Sequence, residues 1–315
     1  MTRSTSPLLP MGAPRPHQTG TLGKITMTLS MAWVRTLTPN VQELVFCSDS
    51  RLSGGNRFDH AAKLFTLPRS DCGLAFAGGT YWAYPMAIAL ARATELHAPS
   101  ATRAMELSKY LTHLIKILNQ MQAAVHTFAE GENVPNATFL FGGWDWIGKR
   151  YRLWKLIFDP KEMTFGAHER RSSNRFGRLG LIEFAGDAEF VEKARIRLKK
   201  LAQERYGKDM RGGKARFDFE PLEVMRDILR EIKPNDTVGG APQLMKVYQH
   251  MNTRMMGVFW GQGTKRNVYY CGRPLLGYER ADGLWVIDPD TLRSSMIGLP
   301  SADEGSGDEA SETTG

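Results

Sequence analysis

Apolar residues form four short runs between positions 28 and 79, and each run has the length and composition of a buried strand. The first run opens at Thr28, the second ends at Ser48, the third begins at Ala62, and the fourth leads into Gly78. We therefore predict buried strands throughout this part of the chain.

Two charged residues lie directly against these apolar runs. Asp49 follows the second run, and Lys63 lies at the start of the third. Burying a charge is costly unless the charge is paired, so we predict that Asp49 and Lys63 pair beneath the start of the first strand. A turn centred on Pro39 would place Asp49 opposite residue 29, and this brings Thr28 to the same point.

The remaining apolar periodicity predicts two pairs of helices alternating with strands. Helices are predicted over residues 81–96, 101–128, 187–206 and 221–233, and strands over residues 138–147, 150–159, 163–169, 243–248 and within 254–288. In the second helix, leucines at 107, 111, 114 and 118 begin a continuous apolar seam. This order predicts an α+β fold, a four-layer αββα sandwich with antiparallel sheets.

The motifs in this order resemble the catalytic half of proteasome β-type subunits, which are N-terminal nucleophile hydrolases. The similar segments are Thr28 onward, Ser48–Arg51, Lys63–Phe65, Ala77–Gly79 and Asp236–Gly240, so the resemblance covers most of residues 28–250. The bacterial Anbu-type proteasome homologues are the nearest relatives that we suggest.

The resemblance implies a catalytic mechanism without histidine. The hydroxyl of Thr28 would attack an amide carbonyl, and the α-amine of the same residue, with an ordinary pKa of about 7.7–8.0, would accept the proton. Lys63 would hold a positive charge near Thr28, and Asp49 would fix that lysine. The backbone N–H of Gly78 would stabilise the oxyanion, and Asp236 would support the nucleophile from a later loop.

Two positions depart from the family pattern. Asp187 stands where the family carries a serine, although its carboxylate can still hydrogen-bond the threonine amine. Val238 stands where a serine is expected before two glycines. Taken singly, Asp49 also fits an ordinary strand-end turn, and Lys63 fits an edge lysine whose amine reaches solvent. The joint order of the motifs favours the catalytic interpretation.

A threonine nucleophile of this kind needs a free α-amine, and 27 residues precede Thr28. Residues 1–27 contain four prolines and no acidic residue, which predicts a disordered leader or propeptide, and no secretory apolar segment is present. Three routes to a free amine remain open. They are self-cleavage of the leader, cleavage before Thr21, and a translation start at Met27 followed by removal of the methionine. We favour the start at Met27, because a chain that begins at Thr21 would extend several residues past Asp49 in the predicted hairpin.

Composition narrows the remaining classes of function. The 315 residues carry a net charge of +8, but the basic run at 193–200 lies in a predicted amphipathic helix, so nucleic-acid binding ranks last. Three widely spaced cysteines predict a reducing, cytoplasmic compartment, and we expect neither a metal nor a cofactor. Cys47 is predicted to be core filler, and no apolar run is long enough to span a membrane.

The C-terminal part of the chain extends beyond the family core. Aromatic-rich segments separated by turns predict extra hairpins over about 250–292, which would cover a sheet edge or form an oligomer contact. Residues 293–315 form a predicted acidic, disordered tail.

The preferred hypothesis is a proteasome-like threonine hydrolase that cleaves peptides or unfolded proteins within a self-assembled ring or other oligomer. A small-amide hydrolase on the same fold is the alternative within the enzyme class. A catalytically inactive scaffold subunit is the alternative outside it. The substrate, the ring size and any unfoldase partner are not specified by the sequence.

Overall fold

The structure, a computed structural model, describes residues 28–298 apart from residues 55, 126–134, 172–178, 208, 210–214, 264–265 and 280. The predicted leader and most of the predicted acidic tail lie outside the described residues. The last residue of the predicted helix seam, Phe128, also lies outside them.

Helices occur in two groups along the chain, as the periodicity predicts. Their bounds are α1 Thr80–Leu96, the single turn α2 Ala98–Ala101, α3 Leu107–Ala123, α4 Ala188–Tyr206 and α5 Glu220–Glu231. Three of the four predicted helices are confirmed to within two residues at each end.

The prediction of one helix over residues 101–128 was wrong at its start. The chain breaks between α2 and α3, where Arg103 adopts a left-handed φ of 65°, and α3 begins only at Leu107. No glycine or proline marks this break in the sequence. The apolar seam itself is confirmed, since the first four leucines are buried against the neighbouring sheet.

The larger sheet has nine strands in the described part of the chain, and its path runs β10-β1-β2-β11-β12-β13-β14. Strand β15 pairs with β12 in parallel and with β16 in antiparallel orientation. The bounds are β1 Leu29–Thr38, β2 Val41–Ser48, β10 Ile182–Gly186, β11 Gln243–Tyr248, β12 Asn252–Trp260, β13 Asn267–Tyr270, β14 Arg273–Pro274, β15 Trp285–Ile287 and β16 Ser294–Met296. The predicted C-terminal hairpins thus extend this sheet, and ordered strand continues beyond the boundary predicted at residue 292.

The smaller sheet is antiparallel and has five strands in the order β5-β6-β7-β8-β9. Its bounds are β5 Leu64–Thr66, β6 Cys72–Gly78, β7 Ala137–Asp145, β8 Arg150–Asp159 and β9 Thr164–Glu169. A separate hairpin joins β3 Leu52–Gly54 to β4 Asn56–Phe58. This hairpin lies in the region predicted to form buried strands, but β4 is exposed, and strand β10 is not predicted from the sequence.

Packing of the two sheets follows from the alternation of side chains along each strand. On β1, Met31 and Trp33 belong to a core cluster shared with α4 and α5, whereas Ala32 belongs to a cluster shared with the smaller sheet. Helices α1 and α3 pack on the smaller sheet in a third cluster. Both faces of β1 are therefore buried, which explains its near-continuous apolar sequence. The fold is mixed α and β with largely antiparallel sheets.

The first hairpin has the register that the Pro39 turn predicts. Trp33 lies opposite Val45 and Ser30 lies opposite Ser48, so both pairs are equidistant from Pro39. The N–H of Asp49 donates to the carbonyl of Leu29 at 3.1 Å. Strand pairing alone therefore brings Asp49 beside the start of β1.

Candidate active site

Thr28 lies immediately before β1 and is almost completely buried, with 1% of its surface exposed. Its Oγ1 accepts a hydrogen bond of 2.8 Å from the Nζ of Lys63. The same Nζ donates to Oδ1 of Asp49, also at 2.8 Å. One ammonium group therefore joins the hydroxyl of Thr28 to the carboxylate of Asp49 inside the protein.

The carboxylate of Asp49 is surrounded by donors. It accepts hydrogen bonds from the backbone N–H groups of Leu29 at 3.0 Å, Arg51 at 3.2 Å and Gly239 at 2.9 Å, in addition to the ammonium of Lys63. Charge-assisted hydrogen bonds of this number compensate the cost of taking a carboxylate out of water. The predicted pairing of two buried charges is present in the structure.

Lys63 reaches the site from an irregular segment and not from a strand. It lies just before β5, and its side chain is fully buried. Burial lowers the pKa of the Lys63 ammonium, and the carboxylate of Asp49 only partly opposes this effect. The lysine therefore releases a proton more readily than a surface lysine does, directly beside the hydroxyl of Thr28.

Gly78 ends β6 with a positive φ of 113°. A Cβ at this position would lie 2.2 Å from the carbonyl oxygen of Asn136, so a side chain does not fit. The N–H of Phe76 donates to the carbonyl of Lys63, whereas the N–H of Gly79 donates to Asn136. Because these bonds alternate along a strand, the N–H of Gly78 faces the Lys63 side. Stabilisation of an oxyanion by this N–H stays a prediction.

Asp187 lies beside Thr28, but its carboxylate has other partners. Its backbone N–H donates to the carbonyl of Thr28 at 2.8 Å. Its Oδ1 accepts from the N–H of Glu189 and caps α4, and its Oδ2 accepts from the hydroxyl of Thr237 at 3.0 Å. The residue is close to the nucleophile and also has an ordinary role as a helix N-cap.

Asp236 contacts the site through its backbone. Its carboxylate accepts the N–H of Lys233 within the same turn, and its carbonyl accepts Nη1 of Arg51 at 3.1 Å. The other departure, Val238, is fully buried in the core, and its carbonyl faces Arg51 at 3.5 Å. Support of the nucleophile by the carboxylate of Asp236 stays a prediction.

Arg51 has a role that the sequence analysis did not assign. It forms a two-pronged ion pair with Asp59, with bonds of 2.6 and 2.8 Å, and it also reaches the loop that supplies the N–H of Gly239. A Cβ at Gly239 would lie 2.4 Å from the guanidinium carbon. Arg51 thus holds this loop against Asp49, and its place in the Asp-Ser-Arg motif was the available signal.

Gln243 is the second residue that the sequence analysis missed. Its Nε2 donates to the carbonyls of Asp49 at 3.0 Å and Ala61 at 2.9 Å, and its Oε1 accepts the N–H of Lys63 at 3.1 Å. The side chain is buried and connects the backbones of both charged residues. No local pattern indicates this role, because its partners lie about 180 residues away.

The backbone of Thr28 is strained. Its φ of 144° lies in a region that L side chains rarely adopt. A Cβ at Gly186 would lie 1.9 Å from the carbonyl oxygen of Thr28, so the strand on that side is packed closely. Strained backbone of this kind costs on the order of 1–3 kcal/mol.

Burial raises the pKa of all three cysteines, which disfavours the thiolate that a nucleophile needs. Cys47 is fully buried, as predicted for a core residue, and burial raises its pKa. Among the described residues, no group of three or more His, Cys, Asp or Glu side chains is arranged to hold a metal ion. None of the helices in the described ranges has the length and apolar content needed to cross a membrane.

The chain matches no family model and no curated protein. Among solved structures it is similar to Anbu, an ancestral β-subunit from Yersinia bercovieri, at 16% sequence identity and a TM-score of 0.48. The similar region covers 72% of this chain and 86% of the Anbu chain.

Proposed function

We propose that the protein is a proteasome-like N-terminal threonine hydrolase that cleaves peptide or other amide bonds. The observation that carries this proposal is the position of the Lys63 ammonium, which lies 2.8 Å from the hydroxyl of Thr28 and 2.8 Å from Asp49 in a fully buried site. The mixed fold and its three core clusters are consistent with a four-layer αββα sandwich.

The proposed reaction begins once Thr28 has a free α-amine. Oγ1 of Thr28 attacks the substrate carbonyl carbon, and its proton moves to the α-amine, whose ordinary pKa of about 7.7–8.0 suits a general base. The ammonium of Lys63 stabilises the developing charge on Oγ1, and the N–H of Gly78 stabilises the oxyanion.

The second half of the reaction uses the same groups. The amide C–N bond breaks, the leaving amine takes the proton from the α-ammonium, and an ester to Thr28 remains. The α-amine then accepts a proton from water as the water attacks the ester carbonyl carbon. The bond between that carbon and Oγ1 breaks, the α-ammonium returns the proton to Oγ1, and the acid is released with Thr28 restored. Asp49 keeps Lys63 in place during both steps, and Asp187 and Asp236 would support the surrounding loops.

The test uses an epoxyketone or β-lactone probe, which reacts with an N-terminal threonine. We expect the protein made from its natural start to have the intact mass of a chain beginning at Thr28, and to be labelled. Thr28→Ala should abolish labelling, whereas the control Thr38→Ala, at the exposed far end of β1, should be labelled like the wild type. Labelling that survives Thr28→Ala would contradict the proposal.

We propose self-association on separate grounds. Helix α1 exposes three large apolar side chains, Tyr81, Ile88 and Leu96, and apolar surface of this kind is typical of interfaces. Sedimentation velocity of the purified protein should therefore give a mass several times that of the monomer. We expect the enzyme to act in the cytoplasm on peptides or unfolded proteins.

An inactive scaffold subunit is the second candidate. It is favoured by the 1% exposure of Thr28 and by the engagement of Asp187 with Glu189 and Thr237. In that case the bonds among Thr28, Asp49 and Lys63 form a satisfied structural network. Retention of the leader in the intact mass, together with no labelling, would favour this candidate.

A further inference from the structure

The segment that carries Lys63 has little regular structure of its own. Residues 59–63 lie between β4 and β5 and belong to neither strand. A side chain delivered by an irregular segment takes its position from whatever packs against that segment. The elements around residues 59–63 therefore decide where the Lys63 ammonium lies.

Several parts of the protein hold this segment. Asp59 pairs with Arg51, and the carbonyl of Ala62 accepts the hydroxyl of Tyr84 from α1. The carbonyl of Ala61 and the N–H of Lys63 both bond to Gln243, as described above.

Ser50 also bonds to this segment, through its hydroxyl to the carbonyl of Asp59 and through its carbonyl to the N–H of Ala61, and a further contact comes from the C-terminal hairpins. Strands β13 and β14 are joined by the two-residue turn Cys271–Gly272, in which both residues have positive φ, 50° and 86°. This is the conformation of a type I′ hairpin, which fixes where the turn points. A neighbouring side chain in the same hairpin, Tyr269, places its ring 6.4 Å from that of His60.

The turn packs directly onto the site. A Cβ at Gly272 would lie 2.6 Å from Cβ of Ser50, 2.8 Å from the carbonyl oxygen of Ala61 and 3.3 Å from Nε2 of Gln243. Carbon atoms in contact prefer about 3.5–4.0 Å, so even one methyl group would displace these neighbours. Two of the three belong to the network that connects Asp49 and Lys63.

We propose that the Cys271–Gly272 turn is a positioning element of the active site, which holds the Lys63 segment against Gln243 and thereby holds the ammonium beside Thr28. This inference rests on the proposed function for its effect on rate. It makes the C-terminal hairpins part of the catalytic unit and not merely an addition to the sheet edge.

Gly272→Ala tests this role, and Gly283→Ala is its matched control. Gly283 also has a positive φ, 77°, and lies in the same C-terminal region, but a Cβ there meets no atom within 4 Å. Both variants therefore strain the backbone to a similar degree, and only Gly272→Ala pushes on the site. Thermal unfolding of Gly283→Ala measures the cost of the backbone strain alone, and any additional loss of stability in Gly272→Ala measures the cost of the contacts of its Cβ.

We expect Gly272→Ala to slow probe labelling by about tenfold to a hundredfold, since small displacements of catalytic groups have effects of this size. Gly283→Ala should be labelled at the wild-type rate. A ¹³C NMR titration of Cε of Lys63 should also show its pKa rising toward that of an ordinary lysine in Gly272→Ala only, as water reaches the displaced ammonium.

The outcomes separate this inference from the proposed function. If the wild type is not labelled, the threonine hydrolase proposal fails, and the NMR titration still tests whether the turn positions Lys63. Equal effects of the two glycine substitutions, or a wild-type rate and Lys63 titration in Gly272→Ala, would overturn the inference.

If Gly272→Ala does not fold, Tyr269→Ala removes a hairpin contact without adding atoms and should slow labelling in the same direction. A wild-type rate for that variant would overturn the inference equally.

Discussion

Among the residues that the structure describes, two ion pairs are completely shielded from solvent, and their hydrogen-bonding arrangements differ. The first pair joins Lys63 to Asp49, and the second joins Arg69 to Asp71. None of these four side chains has exposed surface. In the second pair the guanidinium forms two parallel bonds of 2.7 Å, donates a third to the carbonyl of Met105, and stacks over the ring of Tyr110.

The pKa shifts of the two cations show the same difference. Burial lowers the pKa of Lys63, and Asp49 does not fully restore it. Burial also lowers the pKa of Arg69, but the hydrogen bonds to Asp71 and the charge interactions with neighbouring groups together outweigh that effect and raise the pKa. The arginine is a permanent charge with satisfied donors, whereas the lysine directs a donor to the hydroxyl of Thr28. A buried pair therefore indicates chemistry when its cation can titrate and also contacts a possible nucleophile.

Breaking the pair of Lys63 and Asp49 should have the largest effect on probe labelling. Lys63→Met keeps the length and apolar stem of the side chain but removes the charge beside Thr28. We expect probe labelling to fall by at least about a hundredfold, the scale of losing a proton-transfer or charge-stabilising group. Labelling kinetics of the processed protein provide the measurement, and a loss of less than threefold would remove Lys63 from the mechanism.

Breaking the second pair should affect stability instead of labelling. Arg69→Met leaves Asp71 buried without its two guanidinium bonds, so the free energy of unfolding should fall by about 3–5 kcal/mol. Lys63→Met should cost less, because Asp49 keeps its three backbone donors. Urea denaturation of both variants, with labelling corrected for the folded fraction, tests this contrast. Equal loss of labelling in both would show that the two pairs do not differ in function.

Stability as a function of pH sharpens the comparison further. The pKa of Lys63 is lower in the folded protein than its ordinary value of 10.5, so the unfolded chain binds more protons between the folded value and 10.5. The stability of the wild type relative to Lys63→Met should therefore rise with pH across that window. The raised pKa of Arg69 predicts no such rise relative to Arg69→Met. A flat difference for Lys63→Met would contradict the lowered pKa.

The two pairs also show how far sequence reasoning reaches. The position of Asp49 opposite Leu29 follows from a local hairpin whose register a proline turn sets, and Lys63 stands out as a charge against an apolar run. Local signals of this kind are enough to predict that Thr28, Asp49 and Lys63 lie together. They failed at the start of α3, because the left-handed Arg103 has no sequence marker.

Long-range packing accounts for what sequence reasoning missed. Gln243 bonds to Lys63 across 180 residues, and Gly272 lies against Ser50 only because β11 to β14 extend the sheet past the site. Glutamine and glycine in these places look like ordinary strand and turn residues. Such roles depend on which elements meet in space, and a single sequence does not encode that in any local pattern.

The smallest expected effect concerns Asp187, which stands between the two designs. As the N-cap of α4 it is structural, yet its N–H holds the carbonyl of Thr28. Asp187→Ala should lower the free energy of unfolding by about 1 kcal/mol, whereas Asp187→Ser, which keeps a capping oxygen, should change it by only a few tenths. If the side chain also supports the Thr28 amine, labelling should fall several-fold in Asp187→Ala and be largely retained in Asp187→Ser. Labelling rates and urea denaturation are measured for both variants. If both are labelled at the wild-type rate, Asp187 has only a structural role, as Arg69 does, because a cap stabilises the helix and leaves the charge beside Thr28 unchanged.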